Sequence, residues 1–157
     1  QREPALVGAV VENENVYAPV ILDGAHCDYA AARLAYKLKQ DKFFLISDAT
    51  FLGRKVESFK WDNFDAHLEN CFYRNDEGNL AGATISMLEA VQNAYHHLNV
   101  SADEAVKIGT TRVANAIGLG EIFGNIKTGF PASFVQFNAD LSNIETLNFS
   151  KTSTAVL

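Results

Sequence analysis

Two short apolar runs each end in side chains that can hold or move a proton. The first is Ile21-Leu22-Asp23-Gly24-Ala25-His26 and the second is Leu45-Ile46-Ser47-Asp48-Ala49-Thr50. Between them, residues 29–39 carry apolar side chains at helical spacing. Strand, reactive group, helix, strand, reactive group is the order of a parallel α/β sheet, whose site lies at the carboxyl ends of its strands. The pattern points to an enzyme.

Asp48 has two readings. A carboxylate at a strand mouth, walled by apolar side chains, has a raised proton affinity and suits taking a proton from water and returning it to a leaving group. An aspartate followed by small residues also suits capping the next helix or binding turn amides. His26 can bind a metal, hydrogen-bond a substrate or serve a structural role. Gly24 permits a tight turn there, and Asp23 is expected to bond turn amides. Arg2 stands beside Glu3, by default a solvated pair of little energetic weight. His96 and His97 close a helix, where positive charge is favoured. The chain has no His-x-His, no His-Glu-x-x-His and no Cys/His cluster, so a complete catalytic zinc site of about three protein ligands is not expected from it.

The 157 residues are enough for one domain with a real core. An apolar share of 48%, with eleven Phe, argues against disorder. A net charge of −6, with no basic run, makes nucleic acid a poor partner. A small anionic substrate stays open, because one arginine can hold a phosphate. Cys27 and Cys71 read as two reduced, buried thiols, as in a cytoplasmic protein. No apolar run approaches the roughly 18 residues of a membrane span, and no signal peptide is legible. An opening of Gln1-Arg2-Glu3-Pro4 without Met suggests a fragment or a processed product.

Residues 16–22 read as a buried strand despite Pro19. Residues 30–39 read as a helix whose Ala31, Leu34, Ala35 and Leu38 face the sheet, and residues 43–47 as a strand covered on both faces. Residues 51–79 keep no single period and read as an excursion with a β-hairpin, strand at 69–74 and turn at 75–78. Helices are expected over 84–98, ended by Asn99, over 101–108, opened by a Ser101–Glu104 capping box, and over 112–117. Beyond about residue 120 the texture changes to strands and turns, taken as a second unit.

Four motifs, in order, resemble the N-acetylglucosamine-6-phosphate deacetylases of the amidohydrolase superfamily. They are Arg2-Glu3-Pro4-Ala5-Leu6-Val7-Gly8-Ala9, Asp23-Gly24-Ala25-His26, Leu45-Ile46-Ser47-Asp48-Ala49-Thr50 and Asn79-Leu80-Ala81-Gly82-Ala83-Thr84. The run from Gly124 to Phe134 is similar to the superfamily's closing segment. The resemblance implies an α/β fold: the C-terminal part of a metal-dependent (β/α)8 TIM-type barrel over residues 1–119, with strands of a small β-sandwich domain over 120–157. It implies hydrolysis of the acetamide of N-acetylglucosamine 6-phosphate to glucosamine 6-phosphate and acetate, in amino-sugar catabolism. Asp48 would be the general base and then acid. His26 would contact the sugar and orient the amide. Arg2 would reach the substrate phosphate across a dimer interface, and the Leu80-Ala81-Gly82 loop would line the sugar pocket through its backbone.

Ala5 stands where the family usually has Gly, Ala83 where it has Ser, and Ala132-Ser133-Phe134 where it has Ala-Asp-Leu; none of these removes a named role. The family's metal ligands, a Glu and two His, come from earlier strands. The resemblance therefore implies a divalent metal, zinc by preference, in the intact enzyme and none in this chain, which alone would be inactive. Implied partners are a phosphorylated amino sugar and a second subunit, with neither nucleic acid nor membrane. Rival readings are a dihydroorotase-like or deaminase-like amidohydrolase and a non-catalytic partial barrel.

Overall fold

A computed structural model describes residue 3 and residues 5–148 of the chain. Arg2, one of the expected substrate ligands, lies outside the described residues.

The central unit is a parallel pair of strands joined through a helix. Strand β1 (Ala18–Ile21) runs beside β2 (Phe43–Ile46) in the register Ala18↔Phe43 to Ile21↔Ile46. A parallel pair needs a crossover, which α2 (Tyr29–Lys39) supplies. Asp28 starts this helix, its side chain accepting from the amides of Ala30 and Ala31. Pro19 is tolerated because β1 is paired on one side only among the described residues. The expectation that β2 is covered on both faces holds for one face: Phe43 and Leu45 are fully buried, whereas Phe44 and Ile46 are half-buried.

The face of α2 differs from the one read in the sequence. Ala32 and Lys39 are its buried residues, with Tyr29, Ala35 and Tyr36 packed on the core. Leu34 and Leu38 are 63% and 59% exposed. The two stripes lie side by side on the helix, and the chosen one is anchored by polar contacts. The buried Lys39 ammonium donates to the carbonyls of Val10 and Asn13, at 2.8 and 2.6 Å, at the end of α1 (Ala5–Glu12). Tyr36 donates to Glu104, which also receives Arg112.

Helices α3 (Met87–His97), α4 (Ala102–Gly109) and α5 (Thr111–Ala116) pack against β2. Asn99, at φ +57°, follows α3 in the left-handed conformation that ends helices. The reciprocal capping box belongs to Ser86 and Glu89 at the head of α3. At α4 the Ser101 hydroxyl does accept from the Glu104 amide, but the Glu104 carboxylate is occupied by Tyr36 and Arg112.

The excursion after β2 is a four-stranded antiparallel sheet of β3 (Ser58–Trp61), β4 (Phe64–Glu69), β5 (Phe72–Arg74) and β6 (Leu80–Ala83), in that order. The turn at 75–78 is where the sequence places it. A second turn divides 69–74, because Asn70 sits at φ +58°. Leu52, Ala66 and Tyr73 form this sheet's own small core. The two thiols expected to be buried are not: Cys27 is half-buried and Cys71 is exposed. The last described elements, β7 (Ser133–Gln136) and β8 (Glu145–Asn148), make an antiparallel pair. Between them the buried Leu141 joins the main core, and its carbonyl accepts from Gln92 at 2.8 Å. Among the described residues, no helix is long and apolar enough to cross a membrane.

Apolar surface remains open along Leu34 and Leu38, at Leu6 and Val7, and in a groove of about 530 Å³ bordered by Ile117, Ile122, Phe123 and Ile126. Exposed apolar surface on this scale favours association. The 157-residue chain on its own is therefore expected to self-associate, read by light scattering during gel filtration. A clean monomer across the micromolar range would contradict this.

Candidate functional site

The β1–β2 register fixes the site. Ile21 pairs with Ile46, so Asp23 and Asp48 each follow the paired residues by two, at the same edge of the sheet.

After β1 the chain turns tightly over Gly24, at φ +79°. Asp23 organises this turn. Its Oδ1 accepts from the amides of Ala25 and His26, at 2.9 and 2.8 Å, and its Oδ2 accepts from His26 Nδ1 at 2.6 Å. The amide bonds are those expected of Asp23; the imidazole bond is an addition. Both side chains are largely buried, at 7% exposure for Asp23 and 15% for His26. Burial pushes the Asp23 carboxyl upward, but the bonds from the His26 ring and from the two amides outweigh it and hold the carboxyl below its ordinary value. A carboxylate only accepts, so His26 Nδ1 donates in this bond, which leaves Nε2 as the ring nitrogen not engaged by Asp23.

Asp48, two residues past the end of β2, is in the left-handed conformation, φ +47°, which aspartate tolerates better than most residues. The turn brings residues 48–50 alongside β6. The Ala83 amide donates to the Asp48 carbonyl at 3.1 Å, and the Thr50 amide donates to the Ala83 carbonyl at 3.0 Å. Only glycine fits at 82. Its φ is +105°, and a Cβ there would lie 2.2 Å from Thr50 Cγ2. The same close approach buries Thr50 Oγ1 with no hydrogen-bond partner among the described residues.

The structure thus joins Asp48 to the Leu80-Ala81-Gly82 segment through Ala83, and ties His26 to Asp23. Two expectations change. Leu80, Ala81 and Gly82 belong to strand β6, paired with β5 across a bulge at Phe72 and Arg74, rather than to a loop. Asp48 and Ala49 are exposed, so the apolar wall expected around Asp48 is not formed by the described residues.

Three residues given no role by the sequence reading, Arg54, Thr84 and Glu89, hold the junction. Arg54 Nε donates to Thr84 Oγ1 at 3.1 Å and Arg54 Nη1 to Glu89 Oε1 at 2.7 Å, while Thr84 donates to the Cys71 carbonyl. The Glu89 carboxyl is pushed up by burial, but Ser86 and Arg54 more than offset this and hold it low. Asp23, Arg54, Cys71 and Glu89 line one cavity of about 340 Å³. The Ser86-x-x-Glu89 spacing is a sequence signal for Glu89, and Thr84 closes the fourth motif, but nothing flags Arg54.

As metal donors, His26 and Asp48 do not fit a complete centre, since two side chains fall short of the usual three or more and His26 Nδ1 is engaged by Asp23. Among the described residues, metal-capable side chains converge only at Asp65, His67 and Asp76, on the excursion. There, His67 Nε2 bonding to Asp76 and the Asp76 amide bonding to Asp65 account for the convergence.

Residues 25–157 match the model of the amidohydrolase family. The chain is 30% identical over 151 residues to N-acetylglucosamine-6-phosphate deacetylase of Haemophilus influenzae, covering 93% of this chain and 39% of that protein. It is 33% identical over 141 residues to N-acetylgalactosamine-6-phosphate deacetylase of a Shewanella species, covering 88% and 36%. A crystal structure of N-acetylglucosamine-6-phosphate deacetylase from Pasteurella multocida superposes with a TM-score of 0.82 at 32% identity, over 88% of this chain and 36% of that one. The chain thus spans less than two fifths of the length of these relatives.

The lowered Asp23 carboxyl has a stability consequence. A folded value below the unfolded one contributes stability that is present above the ordinary aspartate value, near 3.8, and is lost as pH falls through the folded value. Asp23→Asn should therefore lower the melting temperature at neutral pH and flatten its fall below about pH 4. Parallel melting curves for both proteins from pH 7 to pH 2 would refute this.

Proposed function

Because this chain belongs to the amidohydrolase family, we propose that it forms part of a deacetylase acting on N-acetylglucosamine 6-phosphate, giving glucosamine 6-phosphate and acetate. The observation that carries the reading is the meeting of Asp48, at a parallel strand end, with the Gly82 segment, beside the Asp23–His26 pair. The names of the relatives support it over a dihydroorotase-like or deaminase-like reading.

Asp48 takes a proton from the attacking water as oxygen bonds to the acetamide carbon. It returns that proton to nitrogen as the C–N bond breaks, so that the amine leaves neutral. Its exposure in this chain gives it access to substrate, and its left-handed turn is the strained backbone that clusters at functional sites. His26, held through Nδ1 by Asp23, contacts the sugar and orients the amide. Strand β6 is an edge of its sheet, so Leu80, Ala81 and Gly82 offer a row of backbone groups to sugar hydroxyls. Arg2 holds the phosphate through a two-pronged guanidinium contact, reaching it across a homodimer interface. In this reading residues 1–119 belong to a (β/α)8 barrel and 120–157 to a small β-domain, in a cytoplasmic protein. A divalent metal, zinc by preference, is held by side chains outside this chain.

The Shewanella relative favours a second substrate, the galacto epimer. Comparing kcat/KM on the two epimers decides between them.

Asp48→Asn in the intact protein should cut kcat by about 10²–10⁴-fold, with fold and metal content retained; near-normal turnover would sink the assignment. Arg2→Ala should raise KM for the phosphorylated sugar far more than for its unphosphorylated counterpart. An equal effect on both would remove Arg2 from the phosphate site.

A further inference from the structure

The segment that carries Asp48 is held in an unfavourable state. Asp48 occupies the left-handed region and Thr50 buries an unpaired hydroxyl. Both features disfavour this conformation of the segment. Two backbone bonds with Ala83, one from the Thr50 amide and one to the Asp48 carbonyl, oppose them.

Arg54 supplies a restraint at the far end of the turn. Six residues after Asp48, its guanidinium bonds Thr84 through Nε and Glu89 through Nη1. Thr84 directly follows Ala83, the residue that receives the Asp48 segment. Glu89 is fixed in turn by the capping box, its Oε2 accepting from the amide and hydroxyl of Ser86, at 2.9 and 2.8 Å. One planar group therefore ties the Asp48 segment to β6 and to the head of α3. Lysine would replace the two nitrogens of this rigid plane with one compact ammonium.

We propose that Arg54 is a positioning residue for the reaction. By clamping Thr84 and Glu89 it holds Asp48 at the substrate without touching the substrate itself. The proposal rests on the assignment of Asp48 as proton carrier. The exposed ion pair contributes little to global stability; its effect is on where the Asp48 carboxylate sits. A displacement of about 1 Å at such a group costs up to 10²-fold in rate.

The test is Arg54→Met, which keeps the stem and removes both bonds. Two readouts are needed. In the intact protein, kcat is expected to fall about 10- to 100-fold, with KM changed less than about threefold and the melting temperature nearly unchanged. In the same intact protein, hydrogen exchange at the Thr50 and Ala83 amides is expected to quicken at least about tenfold, while exchange in the β4–β5 pairing stays as it was. Raised KM with kcat intact would make Arg54 a substrate contact and overturn the proposal. Unchanged exchange at Thr50 and Ala83 would overturn it as well, since no clamp would then exist. Quickened exchange with unchanged kcat would overturn the role in turnover. If Asp48→Asn were near-normal in the same assay, the failure would lie with the assignment of Asp48, and the exchange readout would still report on the clamp.

Discussion

The parallel pairing of β1 with β2 is the constraint on which the rest of the structure depends. Antiparallel strands would send Asp23 and Asp48 to opposite edges; parallel strands in this register leave both at one edge, each two residues past the last pair. That geometry requires the α2 crossover, and α2 in turn requires a face that packs. The buried face is organised by Lys39 holding the end of α1 and by Tyr36 meeting Glu104. The polar contacts of one helix thus help decide where two carboxylates stand.

The two strand ends differ in environment. The Asp23 carboxylate is buried but receives two amides and an imidazole, so its charge is compensated and the His26 ring is oriented. Asp48 has the opposite environment: an exposed side chain on a strained backbone, held by main-chain bonds to Ala83. A fixed pair beside a lightly held carboxylate suits a site where one group orients and the other exchanges protons.

Much of this was legible in the sequence, for physical reasons. Strands β1 and β2, helices α2 to α5 and the turn at 75–78 carry strong periodic or turn signals, and Asn99 marks a helix end by its tolerance of positive φ. The buried face of α2 was misread because Leu34 and Leu38 outweigh Ala32 and Lys39 on any hydrophobic scale; only the tertiary partners of Lys39 and Tyr36 reveal the choice. The division of 69–74 hides in a single left-handed Asn70. Of the site, Asp23, His26 and Asp48 were visible as reactive groups at strand ends. Arg54 and Thr84 were not, because a clamp is defined by residues 30 positions apart that meet only in the fold.

The most direct test of the account is a crystal structure of the intact protein with a tetrahedral analogue of acetamide hydrolysis bound. The account places the Asp48 carboxylate within hydrogen-bond distance, about 2.6–3.2 Å, of the group standing for the attacking oxygen or the leaving amine, with Ala83 still paired to Asp48 and Thr50. An analogue bound elsewhere, or an Asp48 carboxylate turned away from it, would contradict the account.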